Sequence, residues 1–224
     1  MVRSADVLVV MAKYPAPGAV KIRLAERVGA VAAAELCRAF LADLAERFAH
    51  GPWQLVWAVT PAGADLTPFI GRGQRQIGQR GRDLGERMLG CFSQLTGEGA
   101  DRVVMIGADA PHIGEPAVTD AFAALDEFDA VFVPTHDGGY SLVGLRTAHD
   151  LFSAIPMGTA IVFERTRARL ATLGLRWHAL ETDFDIDELA DVAALARLIA
   201  SGAVILPHTA AVLRDWQASG VLAP

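Results

Sequence analysis

Residues 6–12 read Asp6-Val7-Leu8-Val9-Val10-Met11-Ala12 and run directly into Lys13-Tyr14-Pro15-Ala16-Pro17-Gly18-Ala19-Val20-Lys21-Ile22-Arg23-Leu24. A short apolar run without polar alternation is the pattern of a parallel strand buried on both faces. Pro15, Pro17 and Gly18 end it in a loop. Within residues 30–49, Leu36, Phe40, Leu44 and Phe48 recur every four positions, which lines one face of a long helix. Strand, loop and helix in that order open an α/β fold. Working outward, Gln54–Val59 reads as a second strand, and residues 60–82, rich in Gly, Pro and Arg, hold a strand-like piece at Gln76–Gln79. A helix follows from Leu84, with Leu84, Met88, Phe92 and Leu95 on its buried side. Arg102–Gly107 is the clearest strand, and Pro116–Leu125 is a helix with proline in its first turn. Ala130–Pro134 and Tyr140–Leu145 are strands joined by Asp137-Gly138-Gly139, a connection too short for a crossover helix, so that pair is antiparallel. A helix over 160–173, a strand at Arg176–Leu180, a helix at Asp187–Ala200 and a last helix over 207–219 complete the chain. This order predicts an α/β fold with a mostly parallel mixed sheet and helices on both faces.

The 224 residues suit one domain spanning 1–224, with 201–224 as a helical extension. Apolar residues make up 52% and charged residues 21%, a composition that builds a core and excludes disorder. No apolar stretch approaches a membrane span, and the first apolar run is too short for a secretory signal. Cys37 and Cys91 stand alone on separate helices, which excludes a disulfide scaffold or a cysteine zinc site and fits a reducing cytoplasm. The net charge of −6 argues against a general nucleic-acid binder. That charge is uneven: residues 1–100 carry 12 Lys and Arg against 9 Asp and Glu, and residues 101–224 carry 8 against 17. Both lysines of the chain, Lys13 and Lys21, lie in or beside the loop after the first strand.

In a parallel sheet, ligands bind beyond the carboxyl ends of the strands. Three groups of residues fall there. The first is the loop with Lys13, Lys21 and Arg23, where Gly18 permits close backbone approach and the cations suit phosphate; solvated cations on a stiff surface loop are the plainer reading. It is neither a Walker A loop nor a Gly-x-Gly-x-x-Gly dinucleotide turn. The second is acidic. Asp109 follows a buried strand, either as a metal ligand or as a turn residue. Asp183, Asp185 and Asp187 alternate along an extended segment, which puts them on one side; Asp187 could instead cap the next helix, with Asp191 on its first turn. Carboxylates this close need a cation, Arg or water, and Mg²⁺ or Mn²⁺ with substrate phosphate is the usual solution. The third is Asp137-Gly138-Gly139-Tyr140, a tight turn that could also leave room for a substrate. Gly139–Gly144 is one residue too long for a Gly-x-Ser-x-Gly elbow, so a serine hydrolase is rejected. His112 and His136 read as ordinary loop residues, and Asp83 with Arg87 as a surface i,i+4 pair.

Taken together, these segments resemble the bacterial glycosyltransferase-A-like family called selenodomain-associated transferase 1, within the nucleotide-diphospho-sugar transferase superfamily. The resemblance spans residues 5–200. It rests on Ala12–Leu24 (Ala-Lys-x-Pro-x-Pro-Gly-x-x-Lys-x-Arg-Leu), Gln79–Met88, Gly107–Pro111 (Gly-x-Asp-x-Pro), Asp137–Tyr140 and Asp185–Asp191. Ile22, Glu188, Leu189 and Met157 depart from the family pattern. The resemblance implies a three-layer, Rossmann-like fold. It also implies nucleotide binding by Ala12, Lys13, Pro17, Gly18, Lys21, Arg23, Gln79 and Arg87. Asp109 and Asp187 would be metal ligands, with Asp185 in reserve, and Asp137, Gly138, Gly139 and Tyr140 would face donor or acceptor. The implied reaction is metal-dependent glycosyl transfer from a nucleoside-diphospho-sugar to an acceptor left open. Asp109, Lys21 and Asp137 are its catalytic candidates, Asp137 as base. Nucleotidylyl transfer from a nucleoside triphosphate, releasing pyrophosphate, is the alternative; a non-catalytic nucleotide-sugar-binding module is the second.

Overall fold

The structure is a computed structural model that describes residues 6–221; the ends of the expected 1–224 domain lie outside the described residues. Seven strands form one sheet in the order β3-β2-β1-β4-β6-β5-β7. The central strand β1 (Asp6–Lys13) pairs in parallel with β2 (Gln54–Thr60) on one side and β4 (Arg102–Gly107) on the other. β3 (Arg75–Gly78) continues in parallel from β2, and β7 (Trp177–Ala179) from β5 (Ala130–Pro134). β6 (Tyr140–Leu145) runs antiparallel to both β4 and β5, as its short connection requires.

Alternation along β1 sends side chains to two cores. Leu8, Val10 and Ala12 face α2 (Ala30–Phe48) and α5 (Glu115–Ala124), packing with Leu41, Leu44, Phe48, Val118 and Phe122. Val7 and Val9 face the opposite layer, with Met88 and Phe92 of α4 (Leu84–Gly97) and Leu170 of α6 (Val162–Thr172). The three-layer α/β/α arrangement follows. Leu84 is a correction. It is 44% exposed at the first position of α4, whereas the buried side of that helix begins with Gly85 and Met88.

A third cluster lies outside the sheet. Leu24 of α1 (Ile22–Val28) and Leu36 and Phe40 of α2 pack against Val192 and Leu195 of α7 (Leu189–Ala200) and Leu213 and Trp216 of α8 (Pro207–Ala218). Ile186, fully buried in this cluster, is an apolar wedge between Asp185 and Asp187 and fixes the acidic segment against α1 and α2. Buried Asp43 of α2 accepts hydrogen bonds from the Thr209 hydroxyl and from the backbone N–H groups of His208 and Thr209, which docks the start of α8. A one-turn helix, α3 (Thr67–Ile70), stands in the loop-rich stretch where none was expected.

Two expected roles change. Asp187 does not cap α7: Glu188 takes that position, and the Asp191 carboxylate accepts from the backbone N–H groups of Asp187 and Glu188. Asp191 is therefore spent on the helix end. Asp83 does not pair with Arg87; it caps α4 through the Glu86 N–H, while Arg82 pairs with Glu86 and Arg87 Nε donates to the Gly81 carbonyl.

Candidate functional site

The loop after β1, the turn after β4 and the segment 183–188 meet above the carboxyl ends of β1 and β4. β1 hydrogen-bonds alongside β4 up to Gly107, and the Ala108 N–H donates to the Met11 carbonyl, so Asp109 is delivered beside the loop. The Ile186 N–H donates to the Asp109 carbonyl at 3.1 Å, which ties the acidic segment to the same place.

Lys21 is the centre of the arrangement. Its side chain is 2% exposed, and its ammonium stands 2.5 Å from Asp109 Oδ1 and 3.2 Å from Asp187 Oδ1, with a further hydrogen bond to the Ile186 carbonyl. An ammonium has three N–H donors, and here three protein oxygens take them. Burial by itself would lower the pKa of Lys21; the Asp109 and Asp187 carboxylates outweigh it and push the group up to about 12. The backbone of Lys21 is left-handed, φ 47° and ψ 51°, an uncommon conformation for a residue with a Cβ.

A cavity of about 290 Å³ opens beside this ammonium, with Lys13, Arg23, Cys37, Leu41, Asp109 and Asp187 among its walls. Lys13 is exposed at the end of β1, and Arg23, with 66% of its side chain exposed, reaches Glu188 at 3.5 Å. These two cations border the cavity without being buried in it. Burial pushes the Cys37 thiol up to about 12, which keeps it protonated and unfit as a nucleophile.

The alternating carboxylates divide. Asp183 Oδ1 is hydrogen-bonded to His112 Nε2 at 2.7 Å, and His112 stacks on Phe184 with ring centroids 4.4 Å apart. His112 thus fastens the acidic segment to the turn that carries Asp109. Asp185 faces inward: burial pushes its carboxyl up to about 7, with Asp109, Asp137 and Asp187 adding to the rise and Lys21 opposing it. Asp109, Asp137, Asp185 and Asp187 therefore share one neighbourhood. Among the described residues no set of three or more His, Cys, Asp or Glu side chains is placed to hold a metal together. The oxygens of Asp109 and Asp187 that converge on one ammonium are hard donors, and they fit a Mg²⁺ or Mn²⁺ site of the sparse kind, completed by phosphate and water.

Asp137 Oδ1 accepts from the Thr135 hydroxyl at 2.5 Å and from the Gly139 N–H at 3.1 Å, so its carboxylate builds the turn as well as facing the acidic group. Gly138 has φ 89°, and a Cβ there would stand 2.1 Å from the Ala160 carbonyl oxygen.

Residues 42–159 match the family described as uncharacterized protein conserved in bacteria (DUF2064). The chain belongs to that family. A protein of Desulfovibrio desulfuricans G20, provisionally described as a nucleotide-diphospho-sugar transferase, is 33% identical; the match covers 95% of each chain with a TM-score of 0.89. Two more distant structures share the fold alone. A cytidylyltransferase of Leptospira borgpetersenii is 15% identical over 97% of this chain and 96% of its own, with TM-score 0.57. A CMP:2-keto-3-deoxy-manno-octonic acid synthetase solved with CTP is 14% identical over 89% of this chain and 100% of its own, also with TM-score 0.57. No curated protein matches the chain. The fold is thus that of the nucleotide-diphospho-sugar transferase-like proteins.

Not every expected residue of this DUF2064 chain reaches the cavity. Gln79 is buried and its amide donates to the Ala12 and Ala58 carbonyls, so it bridges β1 and β2. Ala12 is buried in β1, and Arg87 is turned to Gly81. Pro17 and Gly18 are exposed on the loop. Tyr140 is a correction: its ring packs with Phe132 and Phe163 in the core on the α4–α6 face instead of facing a donor or acceptor. The register shift between Val133 and Pro134 pairs Pro134 with Tyr140, skipping Ser141, and this changes the face on which Tyr140 lies. Conversely, Cys37, Leu41 and His112 bear on the site without having been singled out for it. Cys37 and Leu41 belong to the face of α2 turned toward the β1 loop, and their helical spacing marks that face but not the loop above it.

Proposed function

We propose that this protein is a metal-dependent transferase of the selenodomain-associated, glycosyltransferase-A-like kind, moving a glycosyl group from a nucleoside-diphospho-sugar to an acceptor hydroxyl. The observation that carries the reading is the convergence of Asp109 and Asp187 on one cationic position, beside a cavity bordered by Lys13 and Arg23 at the carboxyl ends of β1 and β4. The 33% identical relative, provisionally described as a nucleotide-diphospho-sugar transferase, supports the same class.

In this reading Asp109 and Asp187 hold a divalent cation, with Asp185 next to them. Such a cation supplies Lewis-acid stabilisation of the charge that gathers on the leaving diphosphate. Lys13 and Arg23 bind the phosphates and favour the same charge as the bond between the anomeric carbon and the phosphate oxygen breaks. Its electron pair leaves with the nucleoside diphosphate, and the acceptor oxygen forms the new bond to the anomeric carbon. Asp137 takes the acceptor proton, its carboxylate held by Thr135 and Gly139 in the orientation observed.

The test is a product assay with Mg²⁺ or Mn²⁺ and panels of nucleotide-sugars and nucleoside triphosphates. Glycosyl transfer releases a nucleoside diphosphate from a nucleotide-sugar. Pyrophosphate release from a triphosphate would instead assign nucleotidylyl transfer to the same residues. Stabilisation by a nucleotide-sugar without turnover would reduce the site to a binding module.

A further inference from the structure

Lys21 was expected to reach a ligand phosphate, yet its three ammonium protons are all taken by Asp109, Asp187 and the Ile186 carbonyl. The same two carboxylates are the ones a divalent cation would use. The ammonium takes Oδ1 of each carboxylate, and a second cation brought to the same pair is repelled by it at close range, so each weakens the hold of the other. We propose that the Lys21 side chain is the resident counter-cation of the Asp109–Asp187 pair and competes with the divalent metal for it, so that a phosphate-bearing ligand must draw the ammonium away for the metal to bind well. This rests on the metal-dependent reading above.

Three further features support the competition. The lysine side chain is 2% exposed while the two aspartate side chains are 61% and 48% exposed, so Lys21 lies on the inner side of the pair and the carboxylates stay open to solvent. The cavity of about 290 Å³ adjoins Lys21, and Lys13 and Arg23 border it, so a phosphate there has two cations to receive it and room for a third. The backbone at Lys21 is left-handed, a region that a residue with a Cβ disfavours, and the ammonium of that residue is anchored by three protein oxygens.

The test measures binding of Mn²⁺ alone, without nucleotide, from the free-ion paramagnetic signal, in the wild-type chain, in Lys21→Met, in Lys21→Arg and in the double variant Lys21→Met/Asp109→Asn. Lys21→Met keeps the length of the side chain and removes its charge. The expected result is Mn²⁺ binding at least tenfold tighter in Lys21→Met than in wild type, no such gain in Lys21→Arg, and loss of the gain in the double variant. Equal affinity in wild type and Lys21→Met, or tighter binding in wild type, overturns the competition while leaving the metal site in place. Absence of Mn²⁺ binding in both overturns the competition and the metal reading together. Melting of each variant confirms that it is folded. If Lys21→Met fails to fold, Lys21→Gln takes its place under the same criteria.

Discussion

Lys21 and Asp109 form a 2.5 Å ion pair in which the lysine side chain is buried and the aspartate is 61% exposed. The partners come from loops after different strands, so the pair joins the β1 loop to the β4 turn. Asp187 brings a third segment to the same nitrogen. A change at any of the three is therefore felt by the other two.

Asp109→Asn keeps the shape of the side chain and removes half of the charge that faces the cationic position. Metal-dependent turnover should fall by on the order of 100-fold or more, with the fold retained. Steady-state rates with saturating Mn²⁺ beside the far-ultraviolet dichroism of the variant check this.

Lys21 gives the structure a pH dependence at the alkaline end. Its pKa is higher folded, about 12, than its ordinary 10.5. The folded state binds the proton more tightly, so the contribution is fully present below about pH 10 and is lost as pH rises through 12. Urea denaturation from pH 9 upward should show that decline in wild type and a shallower one in Lys21→Met.

Asp185 acts in the same direction at the acid end, where the charged form is the one that burial disfavours. Its pKa is raised from 3.8 to about 7 on folding, so between those values the folded chain binds more protons than the unfolded one. Stability then falls as pH rises from 4 to 7 and flattens above. Asp185→Asn should be more stable than wild type at pH 8, by on the order of 1–2 kcal/mol, with the gap closing near pH 4. Paired urea curves at the two pH values measure it.

Gly138→Ala tests the turn that presents Asp137. The residue has φ 89°, and a Cβ would stand 2.1 Å from the Ala160 carbonyl oxygen. Strain plus the forced shift of the 154–161 loop should cost on the order of 2–4 kcal/mol, read as a lower urea midpoint.

Much of the frame was readable from the residues alone. Arg102–Gly107, Ala130–Pro134 and Tyr140–Leu145 fall where their apolar runs end in glycine, proline or charge, because a buried strand leaves no ambiguity of face. The meeting of Lys21 with Asp109 and Asp187 was anticipated as proximity, from charge and strand ends. What stayed hidden is tertiary. Nothing local to Lys21 says that its ammonium turns inward to three protein oxygens or that its backbone is left-handed. Tyr140 sits beside the register shift that skips Ser141, which period-two alternation does not reveal. Asp183 differs from Asp185 only because His112, distant in sequence, lies beside it. Ile186 carried the one local signal of the segment's orientation: an isoleucine between two aspartates has to be buried somewhere, and it is buried between α1, α2 and α7.

The most direct measurement of the central claim is calorimetric titration of the chain with a panel of nucleoside diphosphates in Mn²⁺ buffer, repeated with Asp109→Asn. The account predicts saturable one-to-one binding of at least one diphosphate, weakened at least tenfold in the variant. Binding by no member of the panel, or equal binding by both proteins, would contradict it.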